Sequence, residues 1–220
     1  MDAVLADAPA ELDGASVESD ASSSGTIPSE VLEAAPPERI PTDDPGLEAA
    51  WRESTPTQDG RIFVDPGDAA YDSARNLATS PDQYTVVIHG NEHRTGMDTS
   101  AGHVSMTGAE LGELIASDPD WGGREVRLFS CETGRVPGDG SDPVAQGVAD
   151  RLDQRVHAPT ELAWAPPPGG PSDAGYSSTA TWSPDPFTGE MVARPATGPE
   201  APDGTFVTFE PRHTDPEVDR

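Results

Sequence analysis

Between residues 84 and 158 the chain alternates continuous apolar runs with stretches of helical periodicity. Tyr84-Thr85-Val86-Val87-Ile88 is β-branched, uninterrupted and ended by His89-Gly90. Such a run predicts a strand buried on both faces, as in a parallel sheet. Thr107 with Glu110 three residues later forms a capping box, and Leu111, Leu114 and Ile115 give the helix behind it one apolar face. Asp118-Pro119-Asp120-Trp121-Gly122-Gly123 stops that helix, and Glu125-Val126-Arg127-Leu128-Phe129-Ser130 predicts a strand running into Cys131. Asp142 as N-cap and Pro143 at the first helical position open another helix, with Val144, Val148 and Leu152 as its stripe. Val156 to Ala158 reads as a further short strand. Strand, helix, strand, helix, strand implies right-handed βαβ crossovers and a mostly parallel sheet.

Outside that stretch the pattern weakens. Ile62-Phe63-Val64 is a short strand candidate stopped by Asp65-Pro66-Gly67, with a helix expected over 69–78. Asn91 to Ser105 reads as a long polar loop. Leu162-Ala163-Trp164-Ala165 suits a short strand, and Thr179–Trp182, Met191–Ala193 and Thr205–Phe209 suit an antiparallel edge or hairpin. Upstream, Glu30–Ala35 and Leu47–Glu53 could form short helices, with Trp51 docking on the domain. The expected division is an acidic, largely disordered leader over 1–60, an α/β core over 61–165, and a Pro/Gly-rich extension over 166–220.

Composition agrees with a core confined to part of the chain: of 220 residues 34% are hydrophobic, with 22 glycines and 24 prolines. Residues 1–60 hold seven Asp and seven Glu against two Arg. The net charge of −27 argues against nucleic-acid and anionic-membrane partners, which need a basic footprint. All 13 basic residues are Arg, which fits a GC-rich genome better than a functional need. A single cysteine cannot form an internal disulfide. No apolar run approaches the ~20 residues that span a bilayer, and Met1 to Asp7 lacks the basic and apolar regions of a signal peptide. Cytoplasmic residence is expected, or export only as part of a larger protein.

The candidate chemistry sits at two strand ends. His89 and Cys131 are 42 residues apart, room for a crossover helix, and open parallel sheets bind ligands outside the carboxyl ends of their strands. A thiolate is the nucleophile of cysteine chemistry, and a neighbouring imidazole can take its proton. The amides of Gly90 and Cys131 are candidate oxyanion donors, each worth about 3 kcal/mol of transition-state stabilisation in tested enzymes. A third group orienting the imidazole could be a carboxylate or a carbonyl, and no residue is singled out for it.

Ile88-His89-Gly90 after an apolar strand, followed by Leu128-Phe129-Ser130-Cys131-Glu132-Thr133-Gly134 after the next, resembles the caspase-like (clan CD) cysteine peptidases. Ser130 to Gly134 is especially similar to their bacterial CHAT branch, and the combination looks like domains embedded in large actinobacterial toxin-like proteins. The resemblance covers about 61–165. It implies a caspase-like three-layer α/β sandwich, catalytic roles for His89 and Cys131, an oxyanion role for Gly90, no cofactor and no metal. The implied partner is a peptide or protein substrate, the parent chain itself included. Phe129-Ser130 departs from the Ser-Ala common before the CHAT cysteine.

Other readings compete. A lone cysteine is usually a small buried hydrophobe, and the same fold could serve as a catalytically silent interaction domain. His89, His93, His103 and Cys131 could bind zinc, although Gly90-Asn91 favours a turn over the helical spacing such a pair needs. His157 and His213 are expected to be incidental. Trp121 and Trp164 suit packing, Trp182 a hydrophobic cover or a cleft wall, and Glu132 either a loop brace or solvent.

Overall fold

The computed structural model describes residues 42–165 and 175–212, and in it the apolar run of 84–88 lies at the centre of a sheet. The elements in chain order are α1 (Pro45–Glu53), β1 (Thr55–Thr57), β2 (Gly60–Phe63), α2 (Tyr71–Arg75), β3 (Gln83–Gly90), β4 (Thr95–Thr99), β5 (Gly102–Met106) and α3 (Gly108–Ala116). They continue with β6 (Glu125–Phe129), α4 (Val144–Leu152), β7 (Val156–Pro159), β8 (Leu162–Trp164), β9 (Tyr176–Ser178), β10 (Ala180–Pro184), β11 (Met191–Pro195) and β12 (Phe206–Phe209). The main sheet runs β1-β2-β3-β6-β7-β12. Its inner pairs β2–β3, β3–β6 and β6–β7 are parallel, and β1 and β12 close it with antiparallel edges.

Strand alternation divides the core in two. Tyr84, Val86 and Ile88 of β3, with Val126 and Leu128 of β6, face α1, α3 and α4 through Trp51, Leu111, Leu114, Ile115, Val148 and Leu152. Val87 and Phe129 face the other way, onto Ala70, Ala74, Leu77, Ala163 and Ala165. Covering both faces is what an uninterrupted apolar strand requires. The protein is thus a mixed, mostly parallel α/β sheet with flanking helices. The capping box at Thr107 and Glu110 is present. Helices α3 and α4 approach closely because of Gly108, where a Cβ would lie 2.1 Å from the Val144 carbonyl oxygen.

A charged cluster is buried beside the sheet. Arg61 donates from Nε to Asp118 Oδ2 (2.9 Å) and from Nη1 to Ser54 Oγ (2.9 Å), while its guanidinium lies 3.7 Å from the centre of the Trp51 ring. The Tyr84 hydroxyl donates to the same Asp118 oxygen (2.5 Å), and burial, then the Asp118 contact, push its pKa up. Each charged member has its partner, as buried charge demands.

Several expectations need correction. The polar loop over 91–105 is largely the β4–β5 hairpin: of its apolar side chains Met97, Met106 and Val104 turn inward, so backbone pairing rather than apolar patterning defines it. Asp142 does not cap α4. Pro143 holds that position without a side-chain bond, and the Asp142 carboxylate accepts instead from Arg212 (2.7 and 3.0 Å). Helix α2 covers five residues of the expected 69–78, starting without a side-chain cap. The ordered fold also starts before 61, because α1 and β1 are integral and Trp51 docks as expected. It extends past 165 as well, since β12 forms the sheet's far edge, and β10 and β11 make the anticipated hairpin. Glu30–Ala35, most of the leader and His213 lie outside the described residues. Among the described residues, no helix is long and apolar enough to cross a bilayer.

Candidate active site

The parallel ladder pairs Val86 with Leu128 and Val87 with Phe129. Two residues further along stand His89, still in β3, and Cys131, in the turn after β6, which packs on the face that Val87 and Phe129 share. The carboxyl ends of the two strands, about 4.8 Å apart, form one rim of the sheet. No hydrogen bond joins the two side chains: His89 Nδ1 has no partner and Cys131 Sγ is taken by the Ala163 amide.

His89 is half-buried and held from one side. Its Nε2 lies 3.1 Å from Oδ2 of Asp68, and its Nδ1 is buried with no hydrogen-bond partner. Asp68 belongs to the loop after β2, the strand beside β3, so it reaches the same rim. Its carboxylate is itself fixed, because Oδ1 accepts from the Ala70 amide (2.7 Å) while the Asp68 amide donates to the Asp65 carbonyl (2.9 Å). Asp68 was missed because Asp65-Pro66-Gly67 reads as nothing more than a strand stop. The usable signal was positional: a carboxylate in the loop after the strand next to β3 must arrive at the same edge.

Cys131 is not open to solvent, contrary to the position of its turn in the sequence. It is fully buried against Val87, Phe129, Ala163 and Ala165, and its Sγ accepts the Ala163 amide proton (3.4 Å). Burial pushes the thiol up to about 11, the Ala163 amide pulls it down in part, and the Glu132 charge raises it again. Ala163 lies on β8, which pairs with β9 in a small sheet separate from the main one. On the outer side of that sheet Trp164 is buried against Ala193, its Nε1 donating to the Ser178 carbonyl (2.9 Å).

Glu132, which follows the cysteine, adopts φ 58°, a left-handed conformation costly for a side chain with a Cβ. Its surroundings hold it there. The Glu132 amide donates to the Glu161 carbonyl (2.9 Å), its carboxylate meets Arg135 Nη1 (2.6 Å), and Arg135 also binds Glu161 and the Thr160 carbonyl. Glu132 is therefore a loop brace. Burial raises its carboxyl above the usual range; Arg135 opposes this, and Glu92 and Glu161 add to it. Gly90 packs on the same turn, where a Cβ would fall 2.5 Å from Ser130 Oγ and 3.0 Å from Thr133 Cγ2. Ser130 Oγ is buried without a partner.

The other sequence candidates are dispersed. His103 bonds Asp98 (2.7 Å) on the exposed hairpin, and His93 lies 3.8 Å from Glu92. No three His, Cys, Asp or Glu side chains among the described residues are grouped to hold a metal ion. His157 bridges Glu125 (3.0 Å) and Thr208 (2.9 Å), tying β6, β7 and β12 together and holding the Glu125 carboxyl below its usual value. Trp121 bonds the Arg124 carbonyl (2.8 Å), whereas Trp182 is 53% exposed on β10.

No curated protein and no solved structure matches the chain. One family does, over residues 59–177, a span that begins in the β1–β2 turn, takes in Asp68, His89 and Cys131, and ends in β9. The chain belongs to that family, described as a domain of unknown function (DUF8616).

Proposed function

We propose that the protein is a cysteine endopeptidase of caspase-like fold, with Cys131 as nucleophile and His89 as its acid–base partner. The observation that carries this reading is the parallel pairing of β3 with β6, adjacent strands whose carboxyl ends hold His89 and lead into Cys131. The sequence resemblance supports it independently. In the reaction, Cys131 Sγ bonds to the peptide carbonyl carbon as its proton passes to His89. The C–N bond then breaks as the imidazolium returns that proton to the leaving amine, and water hydrolyses the thioester. Gly90 and the Cys131 amide are the proposed oxyanion donors. The substrate is a peptide or protein chain, with the parent chain as a candidate for cleavage in cis.

The covered, protonated thiol requires that Ala163–Ala165 shift when substrate enters. The same burial is the one observation favouring a second reading, a catalytically silent interaction domain. An electrophilic acyl-peptide probe separates the two. Labelling at Cys131 that disappears in His89→Ala, with peptide cleavage lost in Cys131→Ala and His89→Ala, supports the peptidase. Cleavage that persists in Cys131→Ala refutes it.

A further inference from the structure

We propose that Asp68 is the positioning residue of this site, fixing the ring of His89 so that Nδ1 is the nitrogen that exchanges a proton with Cys131; this rests on the peptidase reading above.

A carboxylate can only accept hydrogen bonds, so the 3.1 Å contact places the ring proton on Nε2 and leaves Nδ1 as the basic nitrogen. Nδ1 is the buried ring atom without a partner, which fits a group reserved for a proton that arrives during reaction. Asp68 is in turn preorganised: one oxygen holds the Ala70 amide at 2.7 Å while the other holds the imidazole. The Tyr71 amide donates to the Asp68 carbonyl (3.1 Å), tying the loop to the start of α2. When Nδ1 takes the thiol proton, the new imidazolium charge lies beside the Asp68 carboxylate, which stabilises it without itself being protonated.

The test uses the full chain and three variants, Asp68→Ala, Asp68→Asn and Asp68→Glu. Asp68→Asn keeps one oxygen for the Ala70 amide but sets its NH2, a donor, against the ring, so it preserves the loop while removing the acceptor for Nε2–H. The first readout needs no activity: proton NMR of ¹⁵N-histidine-labelled protein should show a downfield, slowly exchanging His89 Nε2–H. That signal should vanish in Asp68→Ala and in Asp68→Asn, and persist in Asp68→Glu. The second readout is turnover: Asp68→Ala should lower kcat by about a hundredfold with KM little changed, Asp68→Asn should lower it at least as far by favouring the wrong ring tautomer, and Asp68→Glu should recover part of the loss. A His89 Nε2–H signal that survives Asp68→Ala, or kcat equal to wild type in that folded variant, overturns the proposal. Wild-type protein that shows the signal and its Asp68 dependence yet cleaves no peptide refutes the peptidase reading, and leaves Asp68 a structural anchor of the histidine.

Discussion

Closure of the thiol gives the most direct test of the site. The perturbation is a neutral disulfide reagent, applied at pH 7.5 to folded protein and to protein unfolded in urea. With the thiol pushed from its ordinary 9.0 to about 11, folding lowers the thiolate fraction roughly hundredfold, from about 3 in 100 to about 3 in 10,000. A more basic thiolate is the better nucleophile, which returns about tenfold. Ionisation alone therefore slows native labelling by about tenfold, and full burial beneath Ala163 and Ala165 slows it further. Labelling must then wait for the small β8–β9 sheet to open, a local event that needs no global unfolding. Trp164→Ala removes the buried indole that seats β8 against Ala193 and β9, so it should raise the labelling rate towards the unfolded value. Stopped-flow absorbance of the released thiolate reports both rates. Native wild-type labelling within a factor of two of the unfolded rate would refute the closed thiol, and with it the requirement that substrate displace the strand.

The raised thiol also makes stability depend on pH. The folded pKa lies above the unfolded one, so its contribution is fully present below about pH 9 and is lost as pH rises towards 11, at most about 3 kcal/mol. Urea midpoints across that range should fall more steeply for wild type than for Cys131→Ala. Asp118→Ala leaves Arg61 charged and buried without its partner, and should cost about 3–5 kcal/mol in urea unfolding. Gly90→Ala sets a methyl against Ser130 and Thr133; overpacking of this kind costs about 1–3 kcal/mol, measured by thermal unfolding, and should also displace the cysteine turn.

How much was legible in the sequence follows from the range over which each signal acts. The runs at 84–88 and 125–129, the Thr107–Glu110 capping box and the stripe of α3 depend on residues a few positions apart, and periodicity displays them directly. The same local logic, with the short connection limits of βαβ units, placed His89 and Cys131 at the ends of adjacent parallel strands. Four features could come only from the tertiary structure. The β4–β5 hairpin is held by backbone pairing on the flank of β3, which three inward apolar side chains scarcely mark. Asp142 looks like a helix cap until Arg212, 70 residues on, takes its carboxylate. Burial of Cys131 depends on Ala163, 32 residues away, and the partner of His89 lies in a loop 21 residues before it. The residues that end the strands were thus set by local chemistry. Whether the thiol is open, and which carboxylate holds the imidazole, was decided by contacts between loops that only the folded sheet brings together.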